Sequence, residues 1–129
     1  MTKEEYAEYA ASLKPQGYNC AQSVIKALAE FVGDDADALV RAASGFAGGM
    51  GCMESTCGAL IGASMVASNR LGSPAAIAKS RDILKEFQCQ CGALICKDIK
   101  GIETGKMLCA CPDCVRNATR IAIDQLSLL

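Results

Sequence analysis

From about Ser55 or Thr56 to Leu71 the chain is nearly apolar all round, interrupted only by small polar residues and glycine before Asn69 and Arg70. A segment with no face suited to water predicts a central, buried helix. It is too short and too rich in glycine and polar residues to cross a bilayer. Gly58, Ala59, Gly62, Ala63 and Ala67 give it a small-residue surface that another backbone can approach closely. In a chain of 129 residues, so apolar a helix also implies a second covering surface, and a homodimer is expected on that ground.

The segments around it carry helical periodicity, and no run of alternating apolar and polar residues competes with it. Thr2 with Glu5 three residues on forms a capping-box pattern for a helix to Lys14, which Pro15 and Gly17 end. Asn19 and Gln22 repeat that pattern and predict a helix to Gly33, with Cys20, Val24, Leu28 and Phe31 on one stripe. A short helix is predicted over 36–43, burying Leu39 and Val40. After the central helix, Ser73 as N-cap and Pro74 as first helical residue open a fifth, carrying Ile77, Leu84 and Phe87 inward and fraying near Cys89–Gly92. A last helix starts at Pro112 and buries Val115, Ala118, Ala122 and Leu126. The expected fold is all-α, a compact bundle of five or six short helices in a single cysteine-rich domain over residues 1–129.

The composition narrows the chemistry. There is no histidine, so Ser-His-Asp and Cys-His nucleophile arrangements and histidine-ligated metals are excluded. A net charge of −1 and 5% aromatic residues leave no case for nucleic acid, either by charge or by base stacking. The opening Met1-Thr-Lys-Glu-Glu-Tyr lacks the apolar run of a signal peptide, so a cytoplasmic protein without membrane insertion is expected. Gly45-Phe-Ala-Gly-Gly-Met-Gly51 can bring backbone N–H groups close to a ligand, but no Lys-Ser/Thr pair follows to make it a phosphate loop. Met50, Met53, Met65 and Met107 read as packing residues, as do Tyr6, Tyr9 and Tyr18.

Nine cysteines remain, an odd number that suits thiols or ligands rather than a disulfide framework. Cys20 follows an N-cap, Cys57 falls in the first turn of the buried helix, and Cys111 precedes Pro112 at an N-cap position. Unpaired N–H groups and the positive dipole end favour a thiolate at each. Lys97, Lys106 and Arg116 lie near Cys96 and Cys111 in sequence and would lower those thiol pKa values further if close in space.

Five stretches then form a pattern: Gly17-Tyr-Asn-Cys20-Ala-Gln-Ser-Val24; Gly48-Gly-Met-Gly51; Cys57-Gly-Ala-Leu-Ile-Gly-Ala63; Cys96 with Gly101; and Cys111-Pro-Asp-Cys114-Val115. Together they resemble the C-GCAxxG-C-C family of redox-active proteins, and the similarity extends to the non-haem portion of split-Soret cytochrome c. The resemblance spans about Tyr6 to Leu126 and implies an α-helical redox protein with signature cysteines at Cys20, Cys57, Cys96 and Cys111. Because an iron–sulfur cluster accompanies this domain in the split-Soret relatives, the resemblance implies one here. Cys52, Cys89, Cys91, Cys109 and Cys114 are surplus to the pattern, and Glu54 stands where a small residue is common.

Three readings stay open. The first is an iron–sulfur or similar metal centre on Cys20, Cys57, Cys96 and Cys111, with Cys109 and Cys114 as auxiliary ligands, passing electrons to an unidentified redox partner. The second is a dithiol–disulfide protein or thiol sensor using Cys111 and Cys114, whose CxxC spacing at a helix start suits such chemistry. The third is a zinc or soft-metal binding module that draws on Cys89, Cys91, Cys109, Cys111 and Cys114.

Overall fold

The computed structural model describes residues 1–129 as an all-α fold. Five helices carry the architecture: α1 (Lys3–Leu13), α2 (Cys20–Ala27), α5 (Gly58–Leu71), α6 (Ala75–Cys91) and α8 (Cys111–Gln125). Between them lie three short ones, α3 (Ala29–Val32), α4 (Ala36–Ala42) and α7 (Cys96–Lys100). None is long and apolar enough to cross a membrane.

Helix α5 is the central element, packed on α2, α6 and α8, while α1 lies along α8. The small residues have the expected use: a side chain on Gly62 would meet the Ala21 backbone, so α2 can cross α5 at close range only because Gly62 is bare. The packed side chains around it include Val24, Ile25, Leu28, Ile83, Phe87 and Ile121, all buried. Gly58, Ala59, Leu60, Gly62, Ala63, Val66 and Ala67 are buried within the chain, while Ile61 and Met65 are half-buried and Leu71 is exposed.

Both capping boxes form. Thr2 Oγ1 accepts from the Glu5 amide, and Asn19 Oδ1 accepts from the Gln22 amide at 2.9 Å. Gly17, at φ 104°, turns the chain between α1 and α2. Three local expectations are corrected. The helix from Asn19 does not reach Gly33 unbroken, since Leu28 leaves helical geometry at φ −100°, ψ 18° and α3 starts anew. The N-cap of α6 is Pro74 rather than Ser73, and Ile77 points into solvent with 67% of its surface exposed. Helix α6 also does not fray at its end; it runs to Cys91, and Gly92 in the left-handed region stops it at φ 87°.

Candidate metal and redox centre

Four helix N-termini point at one place. Cys20 is the first residue of α2, Cys57 the N-cap of α5, Cys96 the first residue of α7 and Cys111 the first residue of α8. Thus Cys57 caps its helix rather than standing in the first turn, and Cys111 is inside its helix with Ala110 as the cap. All four line a single cavity of about 120 Å³, together with Cys114, Gly48, Lys14 and Lys100.

Each placement has a local cause. The Asn19 and Gln22 side chains that cap α2 also donate to the Ser44 and Val40 carbonyls, at 3.1 and 3.0 Å, and so tether the chain that leads into the glycine loop. That loop passes through the left-handed region at Gly48, Gly49, Met50 and Gly51, and the Gly48 amide faces the Cys20 sulfur. Cys57 and Cys96 are held side by side by an isolated antiparallel bridge between Thr56 and Ile95. Its hydrogen bonds run from the Cys57 amide to Leu94 O at 2.8 Å and from the Cys96 amide to Ser55 O at 3.0 Å. Cys111 is brought in by the packing of α8 on α1, which also delivers Lys14.

The thiols divide into proton donors and acceptors. The Cys111 thiol is depressed to about 5, because Cys20 donates to it and the Lys14 ammonium hydrogen-bonds it, with Lys100 adding its charge. Cys20 is correspondingly pushed up, as the donor of that pair and by burial. Its position at a helix start therefore does not make it the thiolate. Cys57 is lowered by Cys114, with the Ala59 and Leu60 amides contributing, whereas burial raises Cys96 against the pull of Lys100. Lys14 stays charged: burial opposes its proton, but the hydrogen bond and charge of Cys111 outweigh burial.

The cations expected from sequence proximity are engaged elsewhere. Lys97 pairs with Glu54 and Glu103 at 3.0 and 3.2 Å, and Arg116 pairs with Glu8 and Asp113, each at 2.9 Å. Lys106 does not line the cavity. Lys14 and Lys100 take that role: Lys100 stands four residues after Cys96 on α7, whereas nothing local marks Lys14, which the crossing of α1 with α8 places there.

The surplus cysteines also separate. Cys52 and Cys89 are exposed and apart from the cavity. Cys114 reaches Cys57 on one side and Cys91 on the other. The sulfurs of Cys91, Cys109 and Cys114 all lie within 4.8 Å of one another, close enough to share a metal ion. Cys109 is therefore grouped with Cys91 and not with the four-cysteine cavity, and Cys91 is a member that the sequence left unassigned among several alternatives. Seven sulfurs thus form one connected array, an arrangement suited to binding soft metals or exchanging electrons and thiol protons.

No curated protein and no solved structure matches the chain. Residues 18–124 match the family described as "Putative redox-active protein (C_GCAxxG_C_C)", a span that takes in both thiol groups and every helix from α2 to α7 in full. By that match, and by the cysteine placement just described, the chain belongs to the C_GCAxxG_C_C family.

Proposed function

We propose that Cys20, Cys57, Cys96 and Cys111 hold an iron–sulfur cluster that serves single-electron transfer. The observation that carries this reading is the convergence of four cysteines, from four helix starts, on one cavity. The donor set fits the group: it is all sulfur, and the chain has no histidine for Rieske-type ligation. When bound, such a cluster supplies a reversible one-electron couple.

The chain's own residues tune and protect that site. Lys14 and Lys100 compensate the negative charge that four thiolates concentrate there. The Gly48 amide beside Cys20, and the Ala59 and Leu60 amides beside Cys57, favour the more negative state and so raise a potential. Burial of Cys20, Cys57 and Cys96 keeps water from the sulfurs.

A second reading, dithiol–disulfide chemistry, draws support from the low-pKa Cys111. Its partner there is Cys20, which donates to it, rather than Cys114, which is occupied by Cys57 and Cys91. One experiment separates the two. Protein purified without oxygen is expected to be brown, with iron and sulfide in comparable amounts, and Cys57→Ser is expected to lose both while keeping its helix content. Metal-free protein that also resists reconstitution, or a Cys57→Ser protein with full iron content, would overturn the cluster.

A further inference from the structure

Beside the four-cysteine cavity stands a second set of thiols with its own supporting residues. Cys91 closes α6, Cys109 lies just ahead of α8, and Cys114 occupies its first turn. Their sulfurs lie within 4.8 Å of one another, and Cys91 and Cys114 are 1% and 2% exposed. One turn along α8 from Cys114, Asn117 Nδ2 donates to Cys91 Sγ at 3.4 Å and approaches Cys109 Sγ at 3.9 Å. The orientation of that amide is fixed, because Arg120 Nη1 donates to Asn117 Oδ1 at 3.0 Å. Asn117 therefore presents N–H donors to the sulfurs and no ligand atom. Asp113, the carboxylate whose charge acts on Cys91 and Cys109, is held by Arg116 at 2.9 Å.

We propose that Cys91, Cys109 and Cys114 form a three-sulfur site, adjoining the four-cysteine cavity through Cys114, for a soft monovalent cation, Cu(I). Three features select that ion. The ligands are thiols only, the choice of Cu(I), zinc and iron–sulfur centres over hard cations. Zinc closes its structural sites with four ligands, and this group supplies three, with Asn117 turned the wrong way to be the fourth. The burial of two of the three sulfurs leaves little room for a water in the fourth position. The half-buried Cys109 provides the way in. Binding displaces the thiol protons to solvent, and the Asn117 N–H groups then stabilise the sulfur charge that remains. None of its three ligands is among the four cysteines of the iron–sulfur reading, and only Cys114 also lines their cavity.

The test uses the full chain, reduced and free of oxygen, with Cu(I) supplied as its acetonitrile complex and competed against bicinchoninate. A Cys20→Ser/Cys111→Ser background removes two thiols of the larger cavity. In it, one equivalent of Cu(I) is expected, with three sulfurs around copper by X-ray absorption. Adding Cys91→Ser or the half-buried Cys109→Ser is expected to abolish that equivalent, with folding checked by circular dichroism. Asn117→Ala is expected to weaken it about 10- to 100-fold, as loss of a group supporting a ligand does. Cys52→Ser and Cys89→Ser are expected to leave it unchanged. Retention of the copper in both the Cys91→Ser and Cys109→Ser chains, four sulfurs around it, or its displacement by stoichiometric zinc would overturn the site.

Discussion

A methyl group on Gly58 would collide with the Cys20 sulfur and with the Phe46 carbonyl oxygen. The first residue of α5 and the first residue of α2 are therefore packed against each other with no room between them. Gly58 does not have a positive φ, so the requirement here is space and not backbone freedom. In a helix without this contact, Gly→Ala stabilises by about 0.5–1 kcal/mol. Here the sign is reversed: Gly58→Ala is expected to cost about 1–3 kcal/mol through overpacking, and to displace Cys20. The urea midpoint and the iron content should fall together. A more stable protein with undiminished iron would contradict this packing.

Gly49 makes the same argument with a second cause added. At φ 58° it occupies the left-handed region, and a Cβ there would lie 2.8 Å from Cys96 Cβ and 3.0 Å from Ser55 O. Backbone strain alone costs about 1–3 kcal/mol, and the contact with Cys96 adds to it. Gly45, at the start of the same loop, has neither a positive φ nor a neighbour within 4 Å. Gly49→Ala should therefore lower the urea midpoint and reduce metal binding. Gly45→Ala should stay within about 0.5 kcal/mol of the parent. Equal effects at the two positions would mean that the glycine loop does not support Cys96.

What the sequence made legible follows the range of the forces involved. The two capping boxes, the break between α1 and α2 at Pro15 and Gly17 and the burial of α5 depend on residues a few positions apart, and all were readable. Cys20 at the start of α2 followed from Asn19 and Gln22. Helix α7 was not readable, because a five-residue helix has almost no periodicity and its start is set by pairing with Thr56, far away in the chain. Lys14 reaches the thiols only through the packing of α1 on α8 and Lys100 only through the formation of α7, so sequence proximity points instead to Lys97, Lys106 and Arg116. Cys91 carried a usable signal in the glycine that follows it, since a glycine after the last helical turn commonly marks an ordered helix end.

The stability of the reduced, metal-free protein should depend on pH in a window where most proteins respond through histidine. This chain has none. Cys111 and Cys91 are depressed in the folded state, to about 5 and about 6, by donated hydrogen bonds from Cys20 and Cys114 respectively. In the unfolded chain both return to about 8.5. Between those values the unfolded state binds more protons, so the contribution is fully present above about 8.5 and is lost as pH falls toward 5. Cys20 and Cys114 are shifted upward and work in the other direction, so that stability declines again above about 8.5. Urea midpoints measured from pH 5 to 10 are expected to trace a maximum near the ordinary thiol pKa. In Cys111→Ser the acid side of the curve should flatten. A parent profile that is level over this range would remove the donor–acceptor pairing of the thiols.

After the hydrogen bond from Cys20, Lys14 does most to lower the Cys111 thiol, through both a hydrogen bond and its charge, with Lys100 in support. Replacing it with glutamine removes the charge, leaves burial in place as the opposing force, and so raises the Cys111 pKa. At pH 6 alkylation of Cys111 by iodoacetamide in the metal-free protein follows the thiolate fraction. Lys14→Gln should slow it by about two- to tenfold, as a rise of about one to two units from about 5 does to the thiolate fraction at that pH. Lys14→Arg, which keeps the charge, should retain most of the rate, and Lys100→Gln should cost less than Lys14→Gln. Peptide-resolved mass spectrometry separates Cys111 from the eight other cysteines. In the iron-loaded protein the same loss of positive charge disfavours the more negative state, so Lys14→Gln should also lower the reduction potential. A rate and a potential both insensitive to Lys14 would show that this lysine acts on neither the thiol nor the metal.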